Sequence, residues 1–445
     1  MDISLDSAWL CKAALYIGVS ATLVLGEVAC INSALAEEIT EKNGLSTNEA
    51  LILDMQQNLA VAGATPQEDA TTLAYTQLIE SIENQQSAYD PALSEHLLAL
   101  GRSLQSLARH EEAIDVFKRG VHIARINMGL YSPEQLTMLR GEISSHLALG
   151  DFIQVDERQR YLYRVERRAL RHNSTASAQA LLDQARWQKH AYIIGMDESD
   201  ARFDRLYAMW QLNRMALEEV VNSEGDTSPA LLAPLNGMLE SQYLIAGHQG
   251  FDAVLAGNGY DDRHLAHNSL AYKQGRSVLE AIMQINSANN PHDLRQRARD
   301  LIQLGDWSWW FGDRKAALAH YQATYDAIDN TDNPEGLFDE LFASPTPLPD
   351  LDGIRPLPAY NDNTEGALAI RFEVTDTGRV NDITRLQIPE NEPEQVTVSS
   401  ERLLRHLRRV RFRPTFQEGE AKPSTNIIWS FNPQNWQANT LVMTQ

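Results

Sequence analysis

Residues 100–120 read LGRSLQSLARHEEAIDVFKRG, and their spacing decides how most of the chain folds. Leu100, Gly101, Leu104 and Ala108 recur at three- and four-residue intervals, and Ala113, Phe117 and Gly120 do the same, so each half presents one apolar helical face. The small residues let two antiparallel helices approach closely, and Phe117 fills the gap between them. Further along, Leu304-Gly305, Gly312, Ala317 and Tyr321 repeat much of this spacing. Between the two matches, the stretches around Leu149-Gly150 and Tyr207 to Leu217 keep the helical period without most of the small residues. They read as degenerate repeats or plain helical hairpins.

These positions resemble the tetratricopeptide repeat. The resemblance implies an all-α solenoid of helical hairpins over residues 37–329, with most of the helix between Ser46 and Ile328. One hairpin has too little core of its own, so neighbours stack and leave an elongated, curved surface. A glycine-bearing stretch from Gly247 to His267, with Gly250, Gly257 and Gly259, predicts a loop that interrupts the helices. From Asn330 the composition turns to Pro, Asp and Asn, with Pro345, Pro347, Pro349, Pro356 and Pro358. Residues 330–363 therefore read as a semi-extended linker, pinned in part to the array by Leu341, Phe342, Leu348 and Leu351.

Beyond the linker the period changes. Leu368, Ile370, Phe372 and Val374 alternate with Ala369, Arg371 and Glu373, as in a strand with one buried face. Asp376-Thr377-Gly378 predicts a tight turn, and Arg379 to Ile388 a second strand. Ser399 or Ser400 is expected to cap a helix with Leu403, Leu404, Leu407 and Val410 on one face and arginines on the other. Phe412, Pro414 and Phe416 then alternate with Arg413 and Thr415, and Ile427, Trp429 and Phe431 mark a last strand. Gly378-Arg379-Val380 after the first strand and Arg411-Phe412-Arg413-Pro414 after the helix resemble the C-terminal domain of the TonB energy-transducer family. The resemblance implies a small α+β domain of ββαβ type over 364–433, followed by a tail at 434–445. It also implies binding by strand addition, for which the closing strand with Ile427, Trp429 and Phe431 is the candidate edge.

The whole chain has 445 residues, 43% of them hydrophobic, and a formal net charge of -22. That length supports two or three domains, and the acidic balance argues against nucleic acid, whose binding needs clustered Lys and Arg. The N-terminus reads as an export signal over residues 1–36: Lys12, an apolar run from Ala13 to Gly26, and Ala34-Leu35-Ala36 as the cleavage site before Glu37. The rival is an uncleaved anchor from Ala13 to Ala36, in which Glu27 would cost on the order of 3 kcal/mol at a helix centre. Cys11 and Cys30 both fall inside this segment, so cleavage would leave a mature chain without thiols.

Signatures of common enzymes are missing from the sequence: no phosphate loop, no Gly-x-Ser-x-Gly elbow, no His-Glu-x-x-His helix. Asp261, Asp262, His264 and His267 form one cluster. If a helix starts at Asp262, His264 and His267 share a face at metal-holding spacing, which would suit a metal-dependent hydrolase; the plainer reading is a helix cap with two ordinary histidines. Trp307, Trp309, Trp310 and Phe311 are expected in the core of the second repeat match rather than on a stacking surface. Arg402, Arg405, Arg408 and Arg409 read as the solvated face of an amphipathic helix.

These readings converge on a non-enzymatic periplasmic interaction scaffold without a cofactor or small-molecule substrate. Its expected partners are proteins, such as an outer-membrane receptor or other components of a TonB-type transport system. The alternative is an anchored energy transducer. Against it, the family's membrane helix carries a characteristic His, and no His precedes His96.

Overall fold

The computed structural model describes residues 66–197, 199–248, 262–331, 333–351, 354, 356–361, 368–386, 394–417 and 420–431. The expected leader at 1–36 and the tail at 434–445 lie outside them. The chain divides into two compact units, Met1–Asn173 and Ser174–Gln445.

In the first unit, α1 (Pro66–Gln85), α2 (Leu93–Ser106), α3 (His110–Met128), α4 (Leu136–Ala148) and α5 (Phe152–Ala169) run in succession, each packed on the one before. Phe117 on α3 is fully buried. A Cβ on Gly101 of α2 would lie 2.4 Å from its ring and one on Gly141 of α4 2.6 Å, so glycine lets both helices close on the aromatic. The α4–α5 turn uses Gly150 at φ 71, and Asp151 then caps α5 by accepting from the Gln154 backbone N–H. This turn is the hairpin expected at Leu149-Gly150.

The second unit starts with α6 (Ser174–Ile194), α7 (Ser199–Glu224), α8 (Leu232–Gly247) and α9 (Asp262–Asn289). Tyr207 to Leu217 is not a hairpin. It lies within α7, which carries no Gly or Pro to break it. The expected loop from Gly247 to His267 falls mostly outside the described residues, with α9 starting at Asp262. Next come α10 (Leu294–Phe311) and α11 (Arg314–Asp329), the second repeat match. Here Gly305 faces Tyr321 as Gly101 faces Phe117, a Cβ falling 2.4 Å from the ring. Asp293 caps α10, accepting from the Gln296 backbone N–H at 2.9 Å. Replacing Asp293 by Ala should lower stability by about 1 kcal/mol in urea titration; an unchanged midpoint would show the cap to be dispensable.

Residues 330–363 hold more structure than a semi-extended linker. Asn333 caps a helix α12 (Pro334–Phe342), then β1 (Thr346–Leu348) and β2 (Tyr360–Asn361) follow. Leu337, Leu341, Phe342 and Leu348 join the core of α10 and α11, and Leu351 packs against the core cluster that includes Tyr243 and Trp307.

The C-terminal elements are β3 (Leu368–Val374), β4 (Val380–Arg385), α13 (Glu394–Leu407), β5 (Arg411–Arg413), β6 (Thr415–Gln417), β7 (Glu420–Lys422) and β8 (Ser424–Phe431). The expected ββαβ order is thus elaborated. An antiparallel sheet runs β2-β8-β3-β4, while β5 pairs with β1 and β6 pairs with β7. Gly378 makes the β3–β4 turn at φ 70, donating to the Thr375 carbonyl. Leu403 and Leu407 of α13 cover Ile370, Phe372, Phe412 and Trp429. Two local expectations are corrected. The second strand ends at Arg385 rather than Ile388, and α13 begins before Ser399. Ser400 sits inside the helix, its hydroxyl donating to the Val396 carbonyl.

Candidate interaction surfaces

Around α10 the C-terminal strands and the last helix pair share one interior. The run from Phe412 to Phe416 is buried throughout instead of alternating between core and solvent, because it serves two cores. Phe412 enters the sheet core, whereas Phe416 packs between Tyr321 and Phe342 at ring-centroid distances of 4.9 and 5.2 Å. Arg413, expected on the outer face of that alternation, is buried, with 4% of its surface exposed. Its Nη1 donates to Asp306 Oδ2 at 2.6 Å and its Nη2 to Thr346 Oγ1 at 3.0 Å, while Tyr321 donates to Asp306 Oδ1 at 2.9 Å. Trp309 Nε1 donates to the Phe412 carbonyl at 2.8 Å. The arginines that hold the C-terminal strands to the helices are therefore Arg413 and Arg411, the latter donating to the Trp310 carbonyl. Arg402 and Arg405 of α13, and Arg408 and Arg409 just beyond its end, are exposed.

Full burial pushes the Asp306 carboxyl from its ordinary 3.8 up to about 6, against the opposing pull of Arg413 and the Tyr321 hydroxyl. Asp350 pushes in the same direction, and Tyr243 also faces the site from α8. Between about pH 4 and pH 6 the folded chain keeps a proton that the unfolded chain releases. Stability owed to Asp306 is thus greatest in acid, falls as pH rises through that window, and levels off above it. The stability of the wild type minus that of Asp306→Asn, measured in urea at each pH, should decline across the window; a rise would overturn the assignment.

Of the residues expected at a free strand edge, Trp429 and Phe431 are buried in the sheet core and Ile427 packs partly against it. Trp429 stacks on Tyr360 with ring centroids 3.7 Å apart. β3 lies along one side of β8, and β2 occupies the other at Ser430 and Phe431. Among the described residues, Ser424 to Ile428 has no strand on that second side. The edge is therefore shorter than the closing strand and excludes the two large aromatics.

Trp307 and Trp309 are buried, and Trp310 and Phe311 half-buried. Neighbours on opposite faces of α10 explain why so many aromatics fit: Trp307 meets Tyr243 and Gly275, whereas Trp309 meets Tyr321 and Phe412. Trp307 and Trp309 are thus core residues, as expected, whereas Trp310 and Phe311 are covered only in part. His264 and His267 belong to the first turns of α9, and their side chains lie outside the described residues, as does Asp261. Among the described residues no His, Cys, Asp and Glu group could hold a metal, and no helix is long and apolar enough to cross a membrane.

A groove not expected from the sequence opens in the first unit between α1, α2 and α3, with a volume of about 330 Å³. Ile79, Leu97 and Leu100 form its floor, and Glu80, Glu83 and Asp115 stand on its rim. Arg119 pairs with Glu83, while Glu80 and Asp115 are exposed.

No family model matches the chain, and no curated protein matches it in sequence. Among solved structures it is similar to a Podosopora anserina protein of nearly identical TPR-like repeats, described as a kinesin light chain. That protein gives 14% identity and a TM-score of 0.34, over 54% of this chain and 99% of that one. BtubC (BKLC) of P. vanneervenii gives 12% identity and a TM-score of 0.33, over 60% and 94%. A circular tandem repeat protein gives 16% and 0.31, over 66% and 76%. The helical-repeat architecture itself rests on the packing described above: successive antiparallel helices, with glycine facing an aromatic at matching positions of two pairs.

Proposed function

We propose that this chain is a non-enzymatic scaffold that holds a protein partner on its repeat surface. The groove between α1, α2 and α3 carries this reading. An apolar floor beside an acidic rim suits an amphipathic helix that presents apolar anchors next to Lys or Arg. Peptide display against the full chain should enrich such sequences. Glu80→Lys combined with Asp115→Lys should weaken them about tenfold, a loss of about 1.4 kcal/mol. Enriched peptides that bind the charge-reversed chain equally well would remove the groove as the site.

A second contact, by strand addition to β8, is proposed on the resemblance of the C-terminal residues to the TonB family. The unpaired stretch from Ser424 to Ile428 supports it. Export to the periplasm and a role beside a TonB-type transport system belong to the same proposal and rest on the sequence motifs. Expression in a Gram-negative host tests this part: a soluble periplasmic chain starting at Glu37 supports it. An intact N-terminus held in the inner membrane would favour the anchored transducer instead.

A further inference from the structure

Three arginines converge where the last helix pair meets the C-terminal strands. Arg411 donates to the Trp310 carbonyl, and its Nη1 lies 3.9 Å from where a Cβ on Gly312 would stand, so its guanidinium covers the α10–α11 turn. Arg379 follows Gly378, whose carbonyl accepts the Phe412 N–H at 2.9 Å, which sets the β3–β4 turn beside Arg411. The Arg314 guanidinium carbon stands 5.9 Å from the centroid of Trp309, the residue whose indole bonds the Phe412 carbonyl. All three arginines are exposed.

Countercharge is missing at this point of an otherwise acidic chain. Among the described residues none of the three has a carboxylate in ion-pairing distance. The adjacent Asp313 is occupied, accepting from the Ala316 backbone N–H at 3.1 Å and from the Tyr272 hydroxyl at 3.0 Å. Partial burial, then repulsion from Arg379 and Arg314, holds the Arg411 proton affinity below the ordinary arginine range, in keeping with guanidiniums crowded together. Forked N–H donors of this kind match the oxygens of a phosphate group, and a dianion would relieve the mutual repulsion.

We infer that Arg314, Arg379 and Arg411 form a binding notch for a phosphate group. Arg314 opens α11, Arg379 ends the β3–β4 turn and Arg411 begins β5, so a bound phosphate spans the seam and stabilises the docked arrangement in proportion to its occupancy.

Calorimetry on the full chain tests the notch with inorganic phosphate in chloride buffer of constant ionic strength. A parallel arm uses vesicles of phosphatidylcholine with phosphatidylglycerol. Saturable phosphate binding is expected, weakened about tenfold or more in Arg314→Gln and in Arg379→Gln but unchanged in Arg405→Gln. Binding of phosphate without vesicles identifies a soluble phosphate as the source. Vesicle binding lost in Arg379→Gln identifies a lipid headgroup. The inference is overturned if neither probe binds, or if the Arg314→Gln, Arg379→Gln double variant binds both as the wild type does. Both residues are exposed, and a matching circular dichroism spectrum separates lost binding from misfolding.

Discussion

Arg413→Ala is expected to destabilise the second unit by about 3–5 kcal/mol, because it leaves the Asp306 carboxyl buried without its guanidinium. Seven of the eight tryptophans, all but Trp9, lie in Ser174–Gln445, so indole fluorescence during urea titration reports mainly on this unit. Asp306→Asn should cost less than Arg413→Ala, since an amide still accepts the Tyr321 hydroxyl and the site already favours an uncharged group. Replacing both partners by apolar residues of similar volume, Asp306→Leu with Arg413→Met, should recover much of the loss, as apolar replacements of buried ion pairs commonly do. A change below about 1 kcal/mol in Arg413→Ala, within the range of an exposed pair, would show that the pair does not hold the seam.

The second large effect is expected from the smallest side-chain change. Gly378→Ala would put a Cβ 2.0 Å from the Phe412 carbonyl oxygen and 2.7 Å from Trp309 Nε1, at a backbone φ of 70°. The left-handed conformation alone costs a residue with a Cβ roughly 1–2 kcal/mol, and forced displacement of packed neighbours about 1–3 more. Phe412 cannot retreat without losing its N–H bond to the Gly378 carbonyl and the indole bond from Trp309. The combined loss should lower the urea midpoint and shift Trp309 emission to the red. An alanine variant with wild-type midpoint and emission would mean that the β3–β4 turn can move off β5 freely.

The helix pairs were legible because their signal is local and chemical: a glycine on one helix opposite an aromatic on the next, as at Gly101 with Phe117 and Gly305 with Tyr321. The long helix α7 was missed because a helical period reads alike within one helix and across a hairpin; the uninterrupted absence of Gly and Pro was the available clue. Asn333-Pro334, a cap followed by proline at the first helical position, announced α12, but the prolines beyond it dominated the reading. For the β5 region, alternation gave the strand without its partner. Nothing local reveals that Phe412 and Phe416 enter different cores. Nor does it show that Arg413 meets a carboxylate 107 positions away. The groove was equally hidden, because its floor and rim come from three helices, each of which looks like an ordinary amphipathic segment alone.

Enclosure of α10 and α11 by α12, β1 and β6 has a consequence for how the array can grow. The face on which another hairpin would stack is already covered by Phe342, Leu348 and Phe416. The last helix pair is therefore closed off by elements of a different fold. Further repeats cannot be appended there by simple duplication, and two copies cannot join through this face into a filament. A shortened chain stopped at Asp329 would uncover Tyr321 and Trp309 together, turning an end into an adhesive surface.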